Sequence, residues 1–172
     1  MNTQSEIIIR NETDADIGTI TEVTAAAFKN LEISNQTEHF IIKALRASEA
    51  LSVSLVAELE GHIVGHIAFS PVRISDGTDD WYGLGPVSVL PEYQRQGIGG
   101  LLIKEGISHL ENSQACGCCL VGHPEYYRQF GFVNVLDLVV EGVPAEVFFV
   151  LSFDGNTPQG RVSFHDAFKA ER

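Results

Sequence analysis

Apolar and polar positions alternate along the chain in two different periods, and the changes of period mark out its elements. Ile7-Ile8-Ile9 is a short apolar run of strand type, and Thr13-Asp14-Ala15-Asp16 after it resembles a capping box, which predicts a helix start. Ile17, Ile20, Thr24 and Phe28 then recur at helical spacing and predict a face turned to a sheet, ending near Asn30. Asn30 to Gln36 is polar and reads as a loop. Thr37 to Ser48 predicts a second helix with Ile41, Ala44, Leu45 and Ser48 on one face. Leu51 to Leu59 and Ile63 to Val72, joined by Glu60-Gly61-His62, read as an antiparallel hairpin. Ser75 to Asp80 is a turn-rich acidic loop, and Trp81-Tyr82 opens a central strand that contains Pro86. A proline cannot donate to a ladder, so a bulge or splay is expected there. A strand that peels from its neighbour leaves N–H and C=O groups free for an extended amide-bearing ligand. Gly97 to about Glu111 predicts a helix, and Gly117 to Val121 a strand parallel to the central one, since a helical crossover joins them. Pro124 and Gly131 bracket a short aromatic helix. Phe132 to Val140 and Glu146 to Phe153 read as strands separated by Gly142-Val143-Pro144, and Gly160 to Phe164 as an edge strand.

Composition narrows the function classes. A chain of 172 residues with 44% apolar content suits one domain, residues 1–172, with a real core, and no linker or repeat divides it. The net charge of −12 argues against a nucleic-acid surface; it favours attraction of cationic substrates or simply aids solubility. No apolar run is long enough to span a bilayer, and the polar start Met1-Asn2-Thr3-Gln4-Ser5-Glu6 has no signal-peptide core, so a cytoplasmic protein without membrane contact is expected. The three cysteines, all in Cys116-Gly117-Cys118-Cys119, lack zinc spacing and read as buried-strand residues. His62 and His66 have the i, i+4 spacing of a helical zinc motif, but in a strand four residues span ~13 Å, too far for one ion. No metal is expected.

The chemistry concentrates in Gly85-Pro86-Val87-Ser88-Val89-Leu90-Pro91-Glu92-Tyr93-Gln94-Arg95-Gln96-Gly97-Ile98-Gly99-Gly100-Leu101-Leu102. It reads as strand, loop, helix. The first N–H groups of such a helix lack intrahelical partners and carry partial positive charge, which suits a phosphate. Glycines at 97, 99 and 100 let that phosphate approach, and Arg95 adds a cation. The Walker loop is excluded because no glycine-lysine pair occurs, and the dinucleotide fingerprint fails because Leu102 replaces its third glycine. The bland alternative is a glycine-rich turn into an ordinary helix. Gln94-x-x-Gly97-x-Gly99 after a valine strand ending in Val-Leu-Pro resembles the acetyl-coenzyme A signature of the GNAT N-acetyltransferase superfamily. Tyr126-Tyr127-Arg128-Gln129-Phe130-Gly131-Phe132 is similar to the same superfamily's F-Y-x-x-x-G-F element, with Tyr126 in place of Phe; the alternative is an aromatic helix packing on the core. These stretches, with Val162 to Phe168, are most like the YhbS-like branch, apart from His123, where that branch is expected to have an aspartate.

The resemblance covers nearly the whole chain and implies an α/β (α+β) fold: a mixed, mostly antiparallel sheet with a splayed parallel central pair and helices on both faces. It implies an N-acetyltransferase that takes acetyl-coenzyme A as cosubstrate and moves the acetyl group to a primary amine by direct transfer in a ternary complex. Val87, Ser88 and Val89 would hold the pantetheine and acetyl carbonyl through main-chain groups, and Arg95, Gln96, Gly97, Ile98, Gly99 and Gly100 the pyrophosphate. The loop and helix from Asn30 to Ser48 would border the acceptor pocket. Tyr127 would be the general acid, since a phenol of pKa ~10 can protonate a departing thiolate. For the base, Glu38, Asp79, Asp80, Glu92 and His123 stay open, His123 having the most suitable ordinary pKa. The partner is a small-molecule or peptide amine, and a homodimer is an open option. A coenzyme A-binding regulatory module, or an acyltransferase with another acyl group or acceptor, is the alternative.

Overall fold

The computed structural model describes residues 6–172; the polar start at Met1–Ser5 lies outside them. In chain order the elements are β1 (Ile7–Asn11), α1 (Ile17–Phe28), α2 (Glu38–Ala47), β2 (Val53–Leu59), β3 (His62–Pro71), β4 (Arg73–Ile74), β5 (Trp81–Val89), α3 (Ile98–Asn112), β6 (Gly117–Val121), β7 (Leu138–Val139), β8 (Phe148–Ser152) and β9 (Gly160–Ser163). The main sheet has the order β1-β2-β3-β5-β6-β8, antiparallel throughout except for β5 beside β6. Its strands bury both faces because their side chains alternate. Leu55 and Ala57 of β2 pack with Leu102, Ile103 and Leu110 of α3, whereas Val56 packs with Ile20 of α1 and Ile42 of α2. The helices thus cover the sheet on opposite sides, as the family resemblance implies.

Local chemistry sets the helix ends. Asp16 Oδ2 accepts from the Thr13 N–H at 2.7 Å, completing the reciprocal half of the predicted capping box, and one 3-10 turn over Asp14–Asp16 leads into α1. Arg10 donates to the same carboxylate at 2.8 Å, and this bond, opposed by burial and helped by Thr13, holds Asp16 well below the usual carboxylate range. On α2, Ile41 and Leu45 are buried, but Ser48 is exposed rather than on the buried face. It is the C-cap, already out of helical phase, and its hydroxyl donates to the Ala44 carbonyl at 2.8 Å.

The expected defect in the central strand is present. Ile67 of β3 pairs with Val87, yet Phe69 pairs with Leu84, so Gly85 and Pro86 fall in a bulge. On its other edge β5 shares only Trp81–Gly83 with Gly117–Cys119 of β6. Beyond that, β5 stays with β3 and β6 stays with β8, which opens a wedge between them.

Three expectations after β6 are corrected. Phe132 to Val140 is mostly not strand: Val133 makes an isolated bridge to Val150, and β7 covers two residues. Asn134 holds the intervening chain in place of a ladder, its amide donating to the carbonyls of Ala145 and Phe148. Ala145–Val147 is a 3-10 turn, so β8 begins only at Phe148. The segment read as an edge is instead the middle strand of a second sheet, β4-β9-β7. Ile74, Leu138 and Val162 of that sheet share a core with Trp81, Cys119, Phe148 and Val150, which excludes water from the second half of the main sheet.

Beneath α1 and α2 lies a buried polar chain. Ser54 donates to Glu12, so the proton at His66 sits on Nε2, which donates to Ser54 Oγ at 2.7 Å. Glu12 also accepts from Arg46 at 2.8 Å. His66 is fully buried, and burial, with the nearby Arg46 charge, lowers its pKa from the ordinary 6.5 to about 3. The folded state therefore resists the proton that the unfolded state accepts from pH 6.5 downward. Stability is expected to fall on acidification, at ~1.4 kcal/mol per pH unit and by about 2 kcal/mol from about pH 8 to about pH 5. Denaturant melts across that range check it, with His66→Gln, which retains an amide donor, flattening the slope. An equal slope in the variant would assign the effect to other groups.

Candidate functional site

The wedge is framed by the turn from β5 into α3. The Leu90 N–H donates to the Val64 carbonyl at 2.8 Å, and because main-chain groups alternate along an antiparallel strand, those of Ser88 also face β3. The main-chain groups of Val87 and Val89 consequently face the wedge, where the Val89 carbonyl accepts from the Gln94 side-chain amide at 2.9 Å. Pro91–Tyr93 forms a 3-10 turn, Arg95 adopts φ 65° and Gly97, the N-cap of α3, φ 85°. The glycine meets that left-handed requirement without a side-chain clash, and Arg95, a non-glycine residue in the same region, also borders the cleft. The first intrahelical bond runs from the Leu101 N–H to the Gly97 carbonyl, so the N–H groups of Ile98, Gly99 and Gly100 have no intrahelical acceptor. Together these residues line a cleft of about 530 Å³.

Of the residues expected there, Val87, Val89, Arg95, Gly97, Ile98, Gly99 and Gly100 line the cleft, and Ser88 and Gln96 do not. Ser88 is buried with its hydroxyl unpaired among the described residues, and Gln96 is exposed on the outside of the loop. Lys104, Tyr126, Gln129 and Phe130 line it although sequence reading did not nominate them. Lys104 had a signal, since it lies two helical turns beyond Gly97 and so shares its helix face. Tyr126 had none of that kind: its hydroxyl reaches the mouth of the cleft only because the chain after β6 folds back over α3, to within 3.3 Å of a Cβ placed on Gly99.

A second cleft, about 490 Å³, opens beyond Val87, which lines both. Leu84, Gly85, Pro86, Val121, Gly122 and Tyr127 line it, together with Phe28, Ile33, Glu38 and Ile41 from α1, α2 and the loop between them and Phe164 and Phe168 from beyond β9. The loop and helix expected to border an acceptor pocket thus contribute to it. The two adjacent tyrosines divide between the clefts, Tyr126 to the first and Tyr127 to the second. The helix predicted after Pro124 is a 3-10 turn, Tyr127–Phe130, closed by Gly131 at φ 95°. The Tyr127 ring stands edge-on to Phe132 and lies over Gly122, where a Cβ would meet Cε2 at 2.3 Å; only glycine admits the ring. Burial, then the neighbouring Tyr126, pushes the Tyr127 phenol up to about 12.

The five candidate bases separate cleanly. Glu38 lines the second cleft, its carboxylate accepting from Ser34 Oγ. Asp79, Asp80 and Glu92 are outside both clefts, and the His123 ring, also outside them, accepts the Glu125 N–H at Nδ1, 3.1 Å. Cys118 and Cys119 are buried on opposite faces of β6, their thiols raised by burial, the latter to about 12, and neither lines a cleft. Among the described residues, no helix is long and apolar enough to cross a membrane, and no cluster of three His, Cys, Asp or Glu is arranged to hold a metal ion.

Comparison with known proteins bears on this geometry. The profile of the Acetyltransferase (GNAT) domain matches residues 50–134. The N-acetyltransferase YjhQ of Escherichia coli K12, itself uncharacterized, is 34% identical over 122 residues, 69% of this chain; the match spans 65% of YjhQ, just under two thirds. The uncharacterized N-acetyltransferase YhbS of the same strain is 30% identical over 127 residues, 73% of each protein. The crystal structure of Escherichia coli YhbS with coenzyme A superposes with a TM-score of 0.88 at 28% identity, covering 100% of this chain and 97% of that one. A GNAT family acetyltransferase from Brucella melitensis, crystallised with acetyl-coenzyme A, is 47% identical with a TM-score of 0.86 and coverages of 96% and 99%.

Proposed function

This chain belongs to the YhbS-like GNAT acetyltransferases, and from that premise we propose that it acts as a single domain transferring an acetyl group from acetyl-coenzyme A directly to a primary amine, in a ternary complex. The observation that carries the proposal is the meeting of two clefts at Val87, one built for an anion and the other holding a protonated phenol. The pyrophosphate would sit on the free N–H groups of Ile98, Gly99 and Gly100, where the α3 dipole, Arg95 and Lys104 favour negative charge. The pantetheine would run along Val87 and Val89, whose main-chain groups face the wedge and replace the missing β6 partner. Ser88 and Gln96 have no part in this arrangement.

The amine nitrogen attacks the thioester carbonyl carbon, the carbon–sulfur bond breaks, and the sulfur departs with its electron pair. The nitrogen loses one proton and the thiolate gains one. Tyr127 is the proposed donor to sulfur: with its pKa near 12 it stays protonated throughout the physiological range. Acetyl-coenzyme A at about a hundred times its Kd is expected to stabilise the protein by ~2.7 kcal/mol, read as a rise in Tm. Thiol release across an amine panel, with a no-acceptor control, then separates turnover from mere binding. An unchanged Tm at millimolar ligand overturns the coenzyme site; stabilisation without turnover favours a regulatory binding module.

A further inference from the structure

We infer that the second cleft selects an acceptor with an apolar, preferably aromatic, tail and a single amine, held through its ammonium group by Glu38 before transfer; the inference rests on the acetyltransferase reading above. Among the described residues, Glu38 is the only formally charged side chain lining this cleft, and no cation lines it to receive an acceptor carboxylate. An amino acid would bring its carboxylate against that lone negative charge, and a polyamine would bury further ammonium groups without partners. Apart from the Tyr127 phenol, the other side chains lining it are hydrocarbon. Phe164 and Phe168, with ring centroids 5.5 Å apart and planes tilted by 43°, offer an aromatic surface that continues onto Ile41, against whose cluster Phe168 packs. Ile33, at the rim, is 96% exposed, an apolar side chain that an incoming apolar tail would cover. Tyr127 lines the same cleft, so an amine drawn in by Glu38 enters the space beside the proposed acid, and it attacks as the neutral amine once the ammonium has given one proton to water. The net charge of −12 favours approach of a cationic acceptor.

The test uses the full chain with saturating acetyl-coenzyme A and four acceptors: 2-phenylethylamine, hexylamine, phenylalanine and spermidine. The two apolar monoamines are expected to exceed phenylalanine and spermidine in kcat/KM by about tenfold or more, the value of one well-made or one unpaired charged contact. Glu38→Gln should raise KM for 2-phenylethylamine about tenfold with a smaller change in kcat, and leave the Tm shift by acetyl-coenzyme A unaltered. Ile33→Ser, at a position that takes no part in the core, should raise the KM of both apolar amines about threefold while sparing spermidine. Equal or better use of phenylalanine or spermidine overturns the inference, as does an unchanged KM in Glu38→Gln. Stabilisation by acetyl-coenzyme A with no turnover of either apolar amine overturns it too, leaving the coenzyme site intact, whereas absence of that stabilisation overturns the proposed function itself.

Discussion

Tyr127→Phe is expected to leave folding and acetyl-coenzyme A binding intact and to lower kcat by ~10²–10⁴-fold, roughly 3–5 kcal/mol in the barrier. The variant keeps the ring, and with it the edge-on contact to Phe132, the tilted contact to Phe149 and the cover over Gly122. Among the described residues the Tyr127 hydroxyl makes no hydrogen bond to protein, so its removal breaks none. A loss of Tm comparable to the loss of activity would make Tyr127 a packing residue. Normal turnover would transfer the role of acid to Tyr126 or to solvent, and the same assay on Tyr126→Phe decides between them.

Gly99→Val is expected to abolish stabilisation by acetyl-coenzyme A while the free protein keeps its Tm. A Cβ at this position lies 3.3 Å from the Tyr126 hydroxyl and 3.9 Å from Val89 Cγ2, and the valine methyl groups would extend into the mouth of the first cleft. They occupy the approach of an anion to the free N–H groups of Ile98, Gly99 and Gly100. A rise in Kd of about a hundredfold reduces the stabilisation at fixed ligand from ~2.7 to about 0.4 kcal/mol. The fold itself loses little, because Gly99 lies in the first turn of α3, where valine has the better helix propensity by a few tenths of a kcal/mol. Isothermal titration and melting on the same sample separate the two effects. If the Gly99→Val variant folds and binds as well as the parent, the glycines serve only the turn.

Local rules carried the sequence reading far into the fold. The capping box at Thr13–Asp16, the hairpin about Glu60-Gly61 and the proline defect at Pro86 each depend on residues close in the chain, and each is present. The same rules failed where a segment's state depends on a distant partner. Phe132 to Val140 has strand-like content, but Asn134 bonds across to Ala145 and Phe148 and takes the place of a ladder. Val162 is apolar at strand spacing in any reading, yet only packing beside Ile74 and Leu138 makes β9 the middle of a second sheet.

By itself the sequence determined the three long helices, the hairpin and the central strand, the glycine-rich turn into α3, and the pairing of Gln94-x-x-Gly97-x-Gly99 with Tyr126-Tyr127, because helix dipoles, φ restrictions and hydrophobic periods act over a few residues. Only the tertiary structure decided that Ser88 turns its main chain to β3 and leaves the cleft to Val87 and Val89, since strand alternation has no absolute phase until a neighbour is paired. It also decided that Tyr126 and Tyr127 line different clefts, that Lys104 joins Arg95, and that Glu38, of five candidate bases, lines the second cleft. Those juxtapositions join residues far apart in the chain, and they come from burial of both sheet faces, a long-range condition that short-range spacing does not record.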